Sequence, residues 1–367
     1  MKIGLVIYGS LELVSGGFLY DRMMVEYLRR QGDQVHVIGL PWRSYARHLE
    51  DNLSAGLIRH LAGLDLDVLV QDELNHPSLF WVNTRLHSQV RYPIVSIVHH
   101  LRSSELRPVW QNRLFAKVER RYLRSVDGFI FNSRTTSQVV AEVLGAAWEQ
   151  PNRPWVVAYP AGDRLNPQIQ EAEIRDRAMQ TGPLRLVFLG NVISRKGLHT
   201  LLAALAQLSG DSWELAVIGS LDFEPRYARA VQQQALEAGL SHRVHFEGAL
   251  NGAELADTLI NSHVLAVPSS YEGFGIVYVE GMGFGLPAIA SLGGAASEII
   301  ADGRDGFLVP PEDAHTTAKC LQILLRDRSR LAQMGTAARR RYLAHPTWEQ
   351  TGRQIREFLL TVVAKSR

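Results

Sequence analysis

Short apolar runs recur along the chain in two sets, separated by segments with helical spacing. The first set is Ile3–Ile7, Val35–Ile38, Val68–Val70, Ile94–Val98, Phe129–Phe131 and Val156–Ala158. The second is Leu184–Leu189, Leu215–Ile218, Val244–Phe246, Val264–Val267, Ala288–Ala290 and Phe307–Val309. Runs of this length bounded by turn residues read as buried strands. Between them, Leu198, Leu201, Leu202, Leu205 and Leu208 mark one face of a helix. Alternating strands and helices predict an α/β fold, with parallel sheets covered by helices on both faces. Two sets predict two doubly wound, Rossmann-like domains. Polar residues and prolines break the pattern between Gly162 and Pro183. The domains are therefore expected at 1–165 and 166–346, followed by a terminal helix over 347–367. Thr347 with Gln350 three residues later has the form of a capping box.

Composition narrows the classes. The 367 residues are 46% hydrophobic and 21% charged, which suits a soluble globular protein. Lysine and arginine exceed aspartate and glutamate by only two, so no nucleic-acid partner is expected. Cys320 is the single cysteine, so no internal disulfide forms and a reducing, cytoplasmic setting is expected. No apolar run approaches the ~20 residues that span a bilayer. The opening MKIGLVIYGS reads as a first strand rather than a secretion signal, because Glu12 interrupts it.

The densest chemistry lies at Val267–Pro287, VPSSYEGFGIVYVEGMGFGLP. A strand ends at Pro268, Gly273 and Gly275 allow a tight turn, and a helix starts near Ile276. Glu272 then sits in the strand-to-helix loop, and Glu280 about one and a half turns into the helix. With ~1.5 Å rise per residue, Glu280 lies ~7.5 Å along the axis from the helix start. Backbone N–H groups near Phe274, Gly275 and Ile276 form an anion site there. Ionised carboxylates only accept hydrogen bonds, so each holds neighbouring hydroxyls. The order carboxylate, anion cradle, carboxylate matches sugar, diphosphate and ribose. The bland alternative is a pair of surface glutamates. It fits Glu280 poorly, because no other charge occurs between Gly273 and Ser297.

This stretch, with its EGFG and following GLP, resembles the E-x7-E segment of the family 4 retaining glycosyltransferases. The resemblance implies the GT-B fold, two Rossmann-like domains facing across a cleft, with the terminal helix returning to the first. It implies that Glu272 holds the donor sugar and Glu280 the ribose. It implies a nucleotide-diphosphate-sugar co-substrate, front-side transfer with retention, and no metal or other cofactor. Other loops at strand carboxyl ends, where ligands of open α/β sheets bind, match as well. Gly16 and Gly17 follow the first strand, where the family closes a Gly-Gly loop over donor phosphates. His99-His100 ends the fourth strand, where the family has a histidine facing the sugar; the doublet leaves open which one. Arg195 and Lys196 precede Gly197 at a helix start, and Lys196 matches the family's lysine at the diphosphate. Asn191 stands where the family has an arginine, so one charge is missing unless Arg195 supplies it. Phe246-Glu247-Gly248 and the Gly293-Gly294 loop also follow the pattern.

Asp65-Leu-Asp67 has the form of a metal-binding DxD but stands at the amino end of its strand. Spacing elsewhere suggests no metal-ligand set. Asp72, Glu73 and His76 follow the third strand and suit either acceptor contact or a solvated loop. Asn112–Arg124 reads as a helix bearing Arg113, Lys117, Arg120, Arg121 and Arg124. Its apolar side is Leu114, Phe115, Val118, Tyr122 and Leu123. Such a helix suits weak contact with an anionic membrane, or an ordinary amphipathic surface. The activity expected is hexosyl transfer to an unknown acceptor: a sugar, a lipid-linked glycan or a small molecule. The alternatives are a non-catalytic sugar-nucleotide-binding subunit, a glycosidase using both glutamates, and a nicotinamide dehydrogenase. The last lacks a G-x-G-x-x-G after the first strand.

Overall fold

The computed structural model describes residues 1–13, 15–148, 153–208 and 212–366. Arg367, the end of the expected terminal helix, lies outside them. The chain divides into two compact units, Met1–Pro160 with Trp348–Arg367, and Ala161–Thr347. The break comes five residues before the expected 165/166 boundary. The cause is local. Gly162 lies so close to the backbone of Val279 that a Cβ would stand 2.7 Å from the Val279 carbonyl carbon. The turn Asp163–Leu165 therefore belongs with the second unit.

The first unit is built on β1 Lys2–Tyr8, β2 Gln34–Leu40, β3 Val68–Asp72, β4 Ile94–Val98, β5 Gly128–Phe131 and β6 Trp155–Val157. The order is β2-β1-β3-β4-β5-β6, and every pairing is parallel. β3, β4 and β5 are buried along their whole length, as parallel strands covered on both faces must be. The terminal helix Trp348–Ser366 packs on the first helix, Gly16–Arg30. Gly352 meets Tyr27 so closely that a Cβ would stand 2.3 Å from its ring. The Thr351 hydroxyl donates to the Tyr159 carbonyl at 2.7 Å, and Arg356 pairs with Asp33 at 2.7 Å.

The second unit repeats the plan with β7 Leu184–Leu189, β8 Trp213–Ile218, β9 Val244–Gly248, β10 Val264–Val267, β11 Ala288–Ser291 and β12 Gly306–Val309. Its order is β12-β11-β10-β7-β8-β9, again all parallel. In each sheet the winding reverses once, between β1 and β3 in the first and between β7 and β10 in the second. Ligands of such sheets bind outside the carboxyl ends at that reversal.

Candidate active site

In the second unit the reversal brings together the loops after β7 and β10. These are the loops that carry Lys196 and Glu272. Gly197 has φ 72°, and a Cβ there would stand 2.2 Å from the Pro268 carbonyl oxygen. The Ser270 N–H donates to the Arg195 carbonyl at 2.8 Å. The two loops are thus joined backbone to backbone. Across this joint the Lys196 ammonium donates to Glu272 Oε1 at 2.5 Å, and Arg195 Nη1 lies 3.6 Å from Glu272 Oε2. Arg195 also donates to the Tyr271 carbonyl at 2.6 Å, and the Ser269 hydroxyl to Glu272 Oε1 at 2.6 Å. The anion that meets the two cations is Glu272 itself. Burial alone would raise its carboxyl. Lys196 and then Arg195, with the Ser269 hydroxyl, outweigh burial and hold it at about 2. Burial lowers the Lys196 ammonium below its ordinary value, with Glu272 opposing.

The Gly293-Gly294 loop has a structural duty here. The Glu272 N–H donates to the Gly293 carbonyl at 2.9 Å, and the Ala295 N–H to the Glu272 carbonyl at 2.9 Å. The helix that this loop opens, Ala296–Ile299, is only one turn long. The loop therefore straps the Glu272 backbone.

After Glu272, Phe274 is buried and Gly275 precedes the helix Ile276–Gly283. The first N–H groups of a helix have no carbonyl partner within it. Glu280 is the fifth residue of the helix and is buried. Its carboxylate accepts a short hydrogen bond from Arg164 in the turn after Gly162. Burial pushes this carboxyl up, and Arg164 offsets part of the rise. Arg164 and Ser269 escaped the sequence reading. Arg164 is 116 residues from Glu280, and no local pattern marks it.

In the first unit, Gly16 and Gly17 are the first two residues of the helix Gly16–Arg30, which Ser15 caps. Gly17 makes room for His99: a Cβ at Gly17 would meet His99 Cδ2 at 3.2 Å. The histidine doublet separates into two environments. His99 is buried and its Nε2 lies 3.3 Å from Asp21 Oδ1. His100 is partly exposed and bonds Glu105 at 3.0 Å. Asp72, Glu73 and His76 are all buried, which rules out the solvated loop. Glu73 Oε2 accepts the His99 N–H at 2.8 Å, and His76 bonds Tyr45 at 3.1 Å. Burial pushes Asp72 up to about 7 and raises Glu73 well above its ordinary value. Burial pulls His76 down to about 3. Ligand atoms of Asp21, Asp72 and His99 lie within 4.8 Å of one another, a cluster that spacing in the sequence did not reveal. By distance alone it would admit a metal ion. Its chemistry suits a proton, since His99 Nε2 already bonds Asp21.

The DxD pair stands where expected, at the amino end of the first sheet. Asp65 pairs with Lys2 at 2.5 Å, and Asp67 accepts the Lys2 N–H at 2.8 Å. The basic helix runs from Val109 to Arg124, three residues longer than expected. Arg113, Lys117, Arg120, Arg121 and Arg124 are exposed, and Tyr122 and Leu123 are buried. Leu114 departs from the expected inward face. It is 57% exposed, beside Val109 at 67% and Trp110 at 63%.

Residues 169–341 match the family model of glycosyl transferases group 1. The chain is 27% identical to the MMP alpha-(1->4)-mannosyltransferase of Mycolicibacterium hassiacum, over 73% of this chain and 65% of that protein. With the first of these curated relatives it thus aligns over just under two thirds of the relative's length. It is also 27% identical to the phosphatidyl-myo-inositol mannosyltransferase of Mycobacterium leprae, over 99% of this chain and 97% of that protein. Among solved structures, sucrose-phosphate synthase from Thermosynechococcus elongatus superimposes with a TM-score of 0.82 at 23% identity. That match covers 99% of each chain.

Proposed function

We propose a task for this chain, which belongs to the group 1, family 4 glycosyltransferases and has their GT-B fold: retaining hexosyl transfer from a nucleoside-diphosphate sugar to a hydroxyl acceptor. One observation carries the reading. The reversal point of the second sheet unites Lys196, Arg195 and Glu272, and the next helix carries a buried second carboxylate, Glu280. Glu272 accepts hydrogen bonds from hydroxyls of the donor sugar, and Glu280 from the ribose. Lys196, Arg195 and the helix start at Gly275–Ile276 bind the diphosphate. In the reaction the bond from the anomeric carbon to phosphate oxygen breaks. The acceptor oxygen bonds to the same face of that carbon, and its proton passes to the departing diphosphate. Lys196 and Arg195 stabilise the charge that develops there. They meet it without a metal ion. Of the doublet, His99, fixed beneath Gly17, is the histidine that the first unit offers to a sugar; His100, turned to Glu105, is not.

The names of the relatives favour mannose as the sugar and an inositol-bearing lipid as the acceptor. No described helix is long and apolar enough to cross a membrane. The helix Val109–Arg124 instead offers exposed Val109, Trp110 and Leu114 beside five exposed cations. That combination suits reversible contact with an anionic lipid surface.

The test is a panel of nucleoside-diphosphate hexoses offered with inositol lipids, with product anomers read by NMR. The expected result is transfer with retained configuration, undiminished by EDTA. A true donor at ~100 times its dissociation constant also stabilises by ~2.7 kcal/mol. Donor binding without any transfer would favour the non-catalytic subunit. Loss of transfer in EDTA, restored by manganese or magnesium, would overturn metal independence.

A further inference from the structure

We infer that Asp21 is a positioning residue that keeps the His99 imidazole doubly protonated, so that His99 serves the substrate as a hydrogen-bond donor. The inference rests on the reading above, in which His99 touches the sugar.

Asp21 is wholly buried on the helix Gly16–Arg30, and its Oδ1 lies 3.3 Å from His99 Nε2. Its other oxygen, Oδ2, has no hydrogen-bond partner among the described residues. A buried carboxylate with one partner is costly unless that partner is charged and hydrogen-bonded. His99 is the group that can carry that charge. Its ring is fixed by three contacts. Gly17 lies over one edge, Tyr20 meets it edge-on at 5.3 Å, and Glu73 takes its backbone N–H. His99 Nδ1 makes no hydrogen bond to any described residue. The titratable groups that face the ring are Asp21 from the first helix, Asp72 from β3 and Glu73 from the turn after it. Burial alone would lower the imidazole. The Asp21 hydrogen bond and charge, with Asp72 and Glu73, outweigh burial and bring it up to about 9.

The consequence is chemical. A neutral imidazole bonded to Asp21 through Nε2–H presents a bare acceptor at Nδ1. A protonated one presents N–H there, a donor for a sugar hydroxyl. The Asp21–His99 pair has no net charge, so it does not oppose positive charge developing at the anomeric carbon. Asp21 itself touches no substrate.

The test combines Asp21→Asn with Asp21→Glu, in the full chain. The first readout is the His99 imidazole titration by NMR on histidine-labelled protein, which needs no substrate. In wild type the ring should stay protonated to pH 8. In Asp21→Asn it should titrate near or below ~6.5, which cuts the protonated fraction at pH 8 roughly 30-fold. Asp21→Glu should restore most of the rise. The second readout is kcat against pH. Asp21→Asn should lose activity at pH 8 and regain part of it at pH 6, whereas a merely structural role leaves the profile's shape unchanged. A wild-type His99 that is neutral at pH 7, or an unchanged titration in Asp21→Asn, overturns the inference. Should Asp21→Asn fail to fold, the wild-type titration and Asp21→Glu decide the matter. Should His99 titrate as stated while no sugar is transferred, the functional reading falls and the ionic pair stands.

Discussion

Lys196 and Glu272 act on one ligand in the proposed reaction, yet each is also the other's partner at 2.5 Å. Their mutants will therefore not behave independently. Lys196→Ala removes the charge that meets the leaving diphosphate, and typically costs roughly 10²–10³ in kcat. It also leaves buried Glu272 with one cation, Arg195 at 3.6 Å, and the Ser269 hydroxyl, so donor binding should weaken too. The double variant Lys196→Ala with Glu272→Gln should lose less than the sum of the singles, measured as ΔΔG‡ from kcat/KM. Glu280 is a separate case because Arg164 holds it. Glu280→Gln should weaken the free nucleoside diphosphate and the whole donor alike, by roughly 10–100-fold for lost charge-assisted bonds. Glu272→Gln should leave the nucleoside diphosphate nearly unchanged and weaken only the donor. Calorimetry with both ligands on both variants checks this, and equal loss of nucleoside diphosphate would refute the assigned order. The two glutamates were legible in the sequence because a charge inside an apolar helix and a loop after a strand are local signals. Arg164 and the Gly293 strap were not, because their partners come from other turns of the fold. Asp21 gave a weaker signal, a carboxylate on the helix face that also carries the buried Tyr20, Met24, Val25 and Leu28.

Among the elements, all twelve strands of the described residues are legible as apolar runs. Parallel strands covered on both faces need continuous apolar sequence, which composition alone exposes. β6 begins one residue early because Trp155 pairs with Phe129 although its side chain is half exposed. The helix Val109–Arg124 shows where periodicity misleads. By spacing, Leu114 belongs with Phe115 and Val118 on an inward face. The chain instead turns Leu114 outward with Val109 and Trp110, while Arg102 covers Phe115, its guanidinium 4.9 Å from the ring centre. Apolar residues thus lead the exposed face and cations follow it. This element should bind vesicles of anionic phospholipid and not neutral ones, with ~1 kcal/mol for each cation near the surface. Binding should weaken as salt shortens the screening length. Co-sedimentation measures it. Trp110→Ala should reduce binding in both low and high salt, and Lys117→Glu mainly in low salt. Equal sedimentation of wild type and both variants would remove the helix from the interaction.

At the scale of the whole molecule, the ionisations predict that the two units respond differently to pH. In the first unit His99 is raised to about 9, and Asp72 to about 7. A group raised on folding stabilises fully below its unfolded pKa, and that contribution is lost as pH rises through the folded value. For His99 the window runs from ~6.5 to about 9 and is worth on the order of 3 kcal/mol. Asp72 loses its share earlier, between ~4 and about 7. In the second unit Glu272 is held at about 2, and burial lowers His263 to about 3. Glu272 contributes fully above ~4.5 and loses its contribution only as pH falls through about 2. His263 likewise completes its change below ~6.5. Between pH 6.5 and 9, therefore, the first unit should lose stability from His99 while these two groups leave the second unit unchanged. Hydrogen exchange, corrected for the intrinsic rate at each pH, reads the units separately. Protection of β1, β3 and β4 should fall across this window by more than that of β7 and β10. Asp21→Asn should flatten the fall, because it removes the interaction that raises His99. A parallel decline in both units, or a slope in the first unit that survives Asp21→Asn, would mean that the buried ion pair does not govern the response.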